Sequence, residues 1–129
     1  MKNLLLSLTL LISFFIASCS SDDDVSQTKA TITVEDIANQ PVPEMIVYAY
    51  TNNTWNVIGD DPLFADKTVS SDQSGKAVFI LDMPTLFATE TQETIHFSVH
   101  YILDDIEKTK NTSLTFERGQ QKSTTIILN

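Results

Sequence analysis

Cysteine is almost absent from this 129-residue chain, with Cys19 the only one. No disulfide can form within it, so stability has to come from a packed core rather than from covalent staples. Basic residues are also scarce. Lys2 is the only charged residue among the first 18, and the rest of the chain has 7 basic against 17 acidic residues, a net charge of −10. That balance excludes nucleic acid as a partner, because binding it depends on neutralising phosphates with Lys and Arg. It equally disfavours docking on anionic lipid head groups. Histidine occurs only at His96 and His100, and there is no G-x-S-x-G elbow. A nucleophile with its base is therefore not legible, and the expectation is a protein that is not an enzyme. No internal repeat is present, and no second linker.

One apolar run stands out. Leu4 to Ala17 is broken only by Ser7, Thr9 and Ser13, and it follows the positive Lys2. It is too short for a membrane-spanning helix, which needs about 20 residues at 1.5 Å each, but it has the layout of a secretory signal. Ile16-Ala17-Ser18-Cys19 then resembles a lipobox: a branched apolar residue, two small residues and cysteine. The resemblance implies cleavage after residue 18 and a diacylglycerol thioether plus an N-acyl chain on Cys19. These acyl chains are the only cofactor-like groups expected, with no metal. Each buried CH₂ contributes roughly 0.8 kcal/mol, so two or more chains anchor stably.

Ser20-Ser21-Asp22-Asp23-Asp24 comes next and resembles the acidic export signal that follows the cysteine in surface-exposed lipoproteins of the Bacteroidota. It implies an outer-membrane protein facing the cell exterior; a periplasm-facing lipoprotein is the alternative. Clustered charge and serine also suit a plain solvated tether. Residues 19–28 are read as the lipidated cysteine and that tether, and the nine residues from Ser20 to Thr28 span at most about 30 Å.

Residues 29–129 read with the period of strands. Thr31 to Glu35 alternates. Ile46 to Tyr50 is β-branched and aromatic behind Pro41 and Pro43, Trp55 to Ile58 is a weaker candidate ending at Gly59, and Ala77 to Leu81 is a continuous apolar run expected of a strand buried on both faces. Ile95 to Leu103 is the clearest strand, with Phe97, Val99 and Tyr101 on one face and His96, Ser98 and His100 on the other. Ser113 to Glu117 and Ser123 to Leu128 read as a hairpin about Arg118-Gly119-Gln120-Gln121, with Leu114 and Phe116 inward. A short helix within Pro84 to Thr91 would bury Leu86 and Phe87. The fold class expected is all-β, a single antiparallel sandwich of about seven strands.

Two further segments carry a family resemblance. Asn39-Gln40-Pro41-Val42-Pro43 leading into Ile46-Val47-Tyr48-Ala49 resembles the "G-x-P-v-x-g-a-x-V-x-v" opening of carboxypeptidase-regulatory-like (transthyretin-like) domains, and Asp72-Gln73-Ser74-Gly75-Lys76 resembles their "T-D-x-x-G-x-f" turn. Thr124 to Leu128 has the character of their closing strand. Asn39 stands where glycine is usual, and the Thr51 to Ser71 connection is long. Other immunoglobulin-like sandwiches share much of this pattern. A purine-pathway hydrolase occurs on transthyretin-like folds with a Tyr-Arg-Gly-Ser-type ending, but this chain ends Thr125-Ile126-Ile127-Leu128-Asn129.

The candidate binding residues are Trp55, Asp60, Asp61 and Asp66. Trp55 is read first as a core residue, and as a stacking platform for a sugar or peptide if exposed beside Tyr50 or Phe64. Asp60, Asp61 and Asp66, like Asp104-Asp105, lack the D-x-D-x-D-G order of a calcium loop and are read first as polar turn residues. His96 and His100 would stand roughly 13 Å apart along a strand, too far to share an ion bound at about 2.0–2.1 Å, and are read as solvent-facing. The function expected is a non-catalytic binding or scaffold module, accessory to an outer-membrane assembly, with a protein or glycan partner. The alternative is a calcium- or glycan-binding module using the Trp55 to Asp66 loop; a hydrolase comes last.

Overall fold

The structure is a computed structural model that describes residues 27–129; the signal segment 1–18, Cys19 and the Ser20–Asp24 run lie outside the described residues. The described residues form seven strands: β1 (Lys29–Asp36), β2 (Ile46–Thr51), β3 (Lys67–Ser70), β4 (Lys76–Ile80), β5 (Gln92–Leu103), β6 (Ile106–Glu117) and β7 (Gln121–Leu128). A one-turn helix, α1 (Asn52–Val57), and a 3₁₀ turn at Pro62–Phe64 lie between β2 and β3. The strands make two sheets, ordered β4-β1-β7 and β3-β2-β5-β6. The all-β sandwich is therefore the fold. All pairings are antiparallel except β1 with β7, which run parallel over eight register pairs from Lys29↔Gln121 to Asp36↔Leu128.

The core lies between the sheets and follows from the period-2 alternation. Ala30, Ile32 and Val34 from β1 meet Val47 and Ala49 from β2 and Ile95, Phe97 and Val99 from β5, all fully buried. The Phe79 and Phe97 rings pack across the sheets at 5.3 Å. Leu114 packs against this core and Phe116 is buried in it, both facing inward as their spacing indicates.

Four local expectations are corrected. Trp55 to Ile58 is not a strand: Asn52 to Val57 is helical, started by Thr51, whose Oγ1 accepts from the Thr54 N–H at 3.3 Å. The strand it displaces is β3, paired with β2 from Ile46↔Ser70 to Ala49↔Lys67. With four residues, only alternate ones of which turn inward, β3 left little apolar signal. The Pro84 to Thr91 segment forms turns, with Leu86 N–H bonded to Met83 O at 3.0 Å and Phe87 in the left-handed region at φ 62°, which ends any helix. Leu86 is nonetheless buried. Strand β4 is buried on one face only, since Val78 is exposed between buried Ala77 and Phe79. Lastly, the Arg118 to Gln121 turn closes through Gln120 N–H to Glu117 O, but β6 and β7 leave it into different sheets rather than pairing as a hairpin.

The two turns of the family resemblance touch. In the first, Asp36 Oδ1 accepts from Ala38 and Gln40 N–H, and Asn39 adopts φ 59°. Asparagine tolerates that left-handed conformation, so it serves where glycine is usual. In the second, Asp72 Oδ1 accepts from Ser74 N–H, Ser74 Oγ and Lys76 N–H at 2.7–3.0 Å. Gly75 follows at φ +76°, and a Cβ there would lie 2.5 Å from Val34 O and 3.1 Å from the Pro41 side chain.

The strand directions give the sandwich two poles. At one, Thr28 Oγ1 accepts from Gly119 N–H at 2.7 Å and Lys29 N–H donates to Gln120 O, so Thr28, the last residue of the expected tether, is bonded into the sandwich. The opposite pole carries the β1–β2 turn, the Asp72–Gly75 turn, the β5–β6 turn and Asn129.

Two predictions follow from the touching turns. Gly75→Ala combines a left-handed alanine with a clash against backbone, and urea unfolding should show a loss of about 2–3 kcal/mol. The Ser74 hydroxyl and the Lys76 and Ser74 amides hold the Asp72 carboxyl below the usual carboxylate range. Its contribution is then present above the unfolded pKa near 3.9 and is lost as pH falls through the lower folded value. Chemical denaturation from pH 6 downward should show a shallower acid limb for Asp72→Ala than for the parent chain.

Candidate functional site

A strand in the middle of a sheet has a second face, and here it is polar. β2 and β5 are the central strands of their sheet, and their outward residues are Tyr48, Tyr50, His96, Ser98 and His100. Tyr50 and Ser98 are fully buried on that face. What covers them is the connection from Asn52 to Asp66, folded back over the sheet.

One carboxylate fastens it. Asp60 Oδ1 accepts from the Tyr50 hydroxyl at 3.0 Å, and Asp60 Oδ2 accepts from the Ser98 hydroxyl at 2.7 Å. His100 Nε2 lies 3.0 Å from Asp60 Oδ1, while its Nδ1 lies 3.3 Å from Thr109 Oγ1. The Tyr48 ring meets the His100 ring edge-on at 5.6 Å. Burial, reinforced by the hydrogen bond to Asp60, pushes the Tyr50 phenol well above its ordinary value, so it stays a neutral donor.

Trp55 covers the neighbouring position. Its ring lies parallel to that of His96, with centroids 4.6 Å apart and 2° between planes, and meets Tyr50 at 5.5 Å. The favoured expectation placed Trp55 in the core. It is instead half-buried on the outer face, because the segment carrying it is a helix lying on the sheet. The two histidines do face outward, yet His96 is partly covered; burial lowers its pKa, and its Nε2 lies 3.0 Å from Asn52 Oδ1.

The aspartates of the loop do not converge. Asp61 Oδ1 accepts from Leu63 N–H at 3.0 Å and so starts the 3₁₀ turn. Asp66 Oδ2 accepts from Thr51 N–H at 2.7 Å. Each carboxylate serves its own protein donor, and among the described residues no three His, Cys, Asp or Glu side chains gather as a metal cluster. Asp60, His100 and Thr109 follow one another as the parts of a hydrolytic relay do, but Asp60 also receives Tyr50 and Ser98, and this arrangement fastens a loop. Beside it lies an open cleft of about 410 Å³ lined by Pro62, His100, Ile102, Glu107 and Thr109.

Asp60 was legible as a candidate, but its partners were not. Ser98 and His100 lie 38 and 40 residues away. The available signal was the polar outer face of the best strand in the chain, which needs a cover when that strand is central.

The fastened loop holds apolar side chains out to solvent. Val57, Ile58, Leu63 and Phe64 are all exposed, Leu63 at 88%. The chain matches no protein-family model, and no curated protein is significantly similar to it.

Asp60→Ala leaves two buried hydroxyls without their acceptor, and we expect a loss of about 2–3 kcal/mol. Trp55 is the only tryptophan and reports on the loop directly. In the variant its emission should shift to the red at denaturant concentrations where far-ultraviolet circular dichroism still shows intact sheet. Coincident transitions by both probes would mean that Asp60 does not fasten the loop.

Proposed function

We propose that this chain is a non-catalytic binding or scaffold module, held at the outer membrane through acyl chains on Cys19 and facing the cell exterior. The observation that carries the module reading is the Asp60-fastened connection. A sheet face that a short loop would leave open is covered by 15 ordered residues, Asn52 to Asp66, which present Val57, Ile58, Leu63 and Phe64 outward. Groups of catalytic type on that face are spent on fastening it. Loops displayed by a rigid scaffold are the usual place for partner contacts, and large exposed apolar groups on one segment suit a protein partner.

The anchor reading rests on Ile16-Ala17-Ser18-Cys19 and on the acidic run behind it. It fits the described domain, whose first bonded residue, Thr28, sits at one pole, so that the tether leaves from an end of the sandwich. The transthyretin-like reading is supported by the position of its two motifs. Both fall on turns, and the turns pack against each other through Gly75, Val34 and Pro41.

Expression in a lipoprotein-processing bacterium tests the anchor. The parent chain should fractionate with membranes and incorporate labelled palmitate, and Cys19→Ala should lose the label and leave the membrane fraction. Protease applied to intact cells should remove the domain. Full protection of the parent chain in cells whose surface markers are digested would overturn the outward orientation.

A further inference from the structure

The last strand of the larger sheet leaves a row of main-chain groups without a neighbour. β6 pairs with β5 on one side only, in unbroken register from Gln92↔Glu117 to Leu103↔Ile106. Successive residues of a strand turn their N–H and C=O groups to opposite sides, so every second residue of β6 faces the open edge. Two bonds show which set this is. Lys122 Nζ donates to Thr115 O, and Glu117 N–H donates to Gln120 Oε1 at 2.8 Å. Thr109, Asn111 and Ser113 are in step with these, and among the described residues nothing bonds their main-chain groups on that side. All three are exposed, over about 14 Å of strand at roughly 3.4 Å per residue.

The same edge gathers the cations of an acidic chain. Of the 7 basic residues beyond Lys2, four lie on β6, the turn after it and the start of β7: Lys108, Lys110, Arg118 and Lys122. Lys108 and Lys110 alternate with the open main-chain groups and turn to the inner side of the sheet, where both are half-buried. Lys122 approaches from β7, its Nζ 5.9 Å from the centre of the Phe116 ring. None of the four is in an ion pair; the pairs among the described residues are Lys67 with Asp82 and His100 with Asp60. Lys108 reaches the Asn129 carbonyl at 3.2 Å, and Arg118 the Phe87 carbonyl at 3.5 Å. Acids outnumber bases by more than two to one in this chain, yet positive charge is here collected and left without a carboxylate.

We propose that the β6 edge receives an extended segment of an acidic partner protein, which adds as a further strand and sets carboxylates at alternate positions against Lys108 and Lys110. Main-chain bonds to Thr109, Asn111 and Ser113 give the affinity, and the alternate side chains give the specificity. Charge selects the occupant. A second copy of the chain would bring its own Lys108 and Lys110 into the ladder, where like charges are destabilising. An apolar strand would cover two ammonium groups and supply no counter-charge. The lysines that turn those strands away are the groups an acidic strand needs. Lys122 and Gln120 close the edge beyond Ser113, which bounds the register. The inference goes beyond the module reading, because it concerns a different surface from the Asn52 to Asp66 loop and does not depend on the lipid.

The test uses the full chain purified in detergent and synthetic peptides that alternate Thr with Glu, Ser or Lys, read by amide hydrogen exchange in nuclear magnetic resonance. The Glu peptide should slow exchange at Thr109, Asn111 and Ser113 at least tenfold. Lys108, Lys110 and Thr112 should not change, since their amides already bond β5. Lys110→Glu should remove the protection. Asn111→Pro takes away an edge-facing donor, keeps every N–H bond to β5 and should remove it too. Lys76→Glu makes the same charge change on β4 and should have no effect. Equal protection by the Glu and Ser peptides, protection by none of the three, or full protection in Lys110→Glu would overturn the proposal. So would a dimer in sedimentation velocity that Asn111→Pro dissociates. If the three amides are already protected in the free chain and Asp22→Ser/Asp23→Ser/Asp24→Ser exposes them, the occupant is the chain's own acidic run and the partner falls.

Discussion

The arrangement hangs on the backbone ladder of β1. It is the only strand of its sheet with neighbours on both sides, antiparallel to β4 and parallel to β7. Its Ala30, Ile32 and Val34 are fully buried, and its far end receives both turns of the family resemblance. Val34 N–H donates to Gly75 O at 2.7 Å, and Val34 O accepts from Val42 N–H at 2.9 Å. With no disulfide available, this ladder and the core beneath it tie the first strand to the last. Thr28 leads directly into strand β1. A pull on the segment before Thr28 is therefore borne by eight register pairs with β7 and five with β4.

The second sheet uses both of its faces. Its inner face completes the core, and its outer face buries Tyr50 and Ser98 under a loop that a single carboxylate holds. Buried hydroxyls are tolerated because each has an acceptor, and among the described residues no buried side-chain nitrogen or oxygen lacks a hydrogen-bond partner. The same sheet ends in a long edge strand, β6. Lys110 and Lys108 pair with inward-facing Val99 and Tyr101, so they point to the inner side at the edge. Inward lysines on an edge discourage unintended strand pairing.

The differences between sequence and structure come from particular segments. Ile95 to Leu103 was readable because one face is apolar at every second position over its whole length. Lys67 to Ser70 was not, since an edge strand of four residues buries too little to leave a period. Trp55 to Ile58 mimics a strand in composition, yet Thr51 can start a helix through its hydroxyl and the sheet has no place for another strand there. The turn at Arg118 to Gln121 was visible in its residues, but which sheet each arm joined was not. Parallel pairing of β1 with β7 joins strands about 90 residues apart, which no local pattern can announce.

The sequence by itself determined the class of fold, the inward face of β5, the two turns at Asn39 and Asp72 to Gly75, and the poverty of cationic and nucleophilic groups. Each of these is a local property: alternation, a side chain that bonds its own turn, or a count. It also singled out Asp60 and Trp55, but not the residues they meet. Only the tertiary structure decided that Trp55 lies on His96 outside the core and that Asp60 gathers Tyr50, Ser98 and His100. Those depend on which distant strands become neighbours, and that is set by burial of the whole core at once.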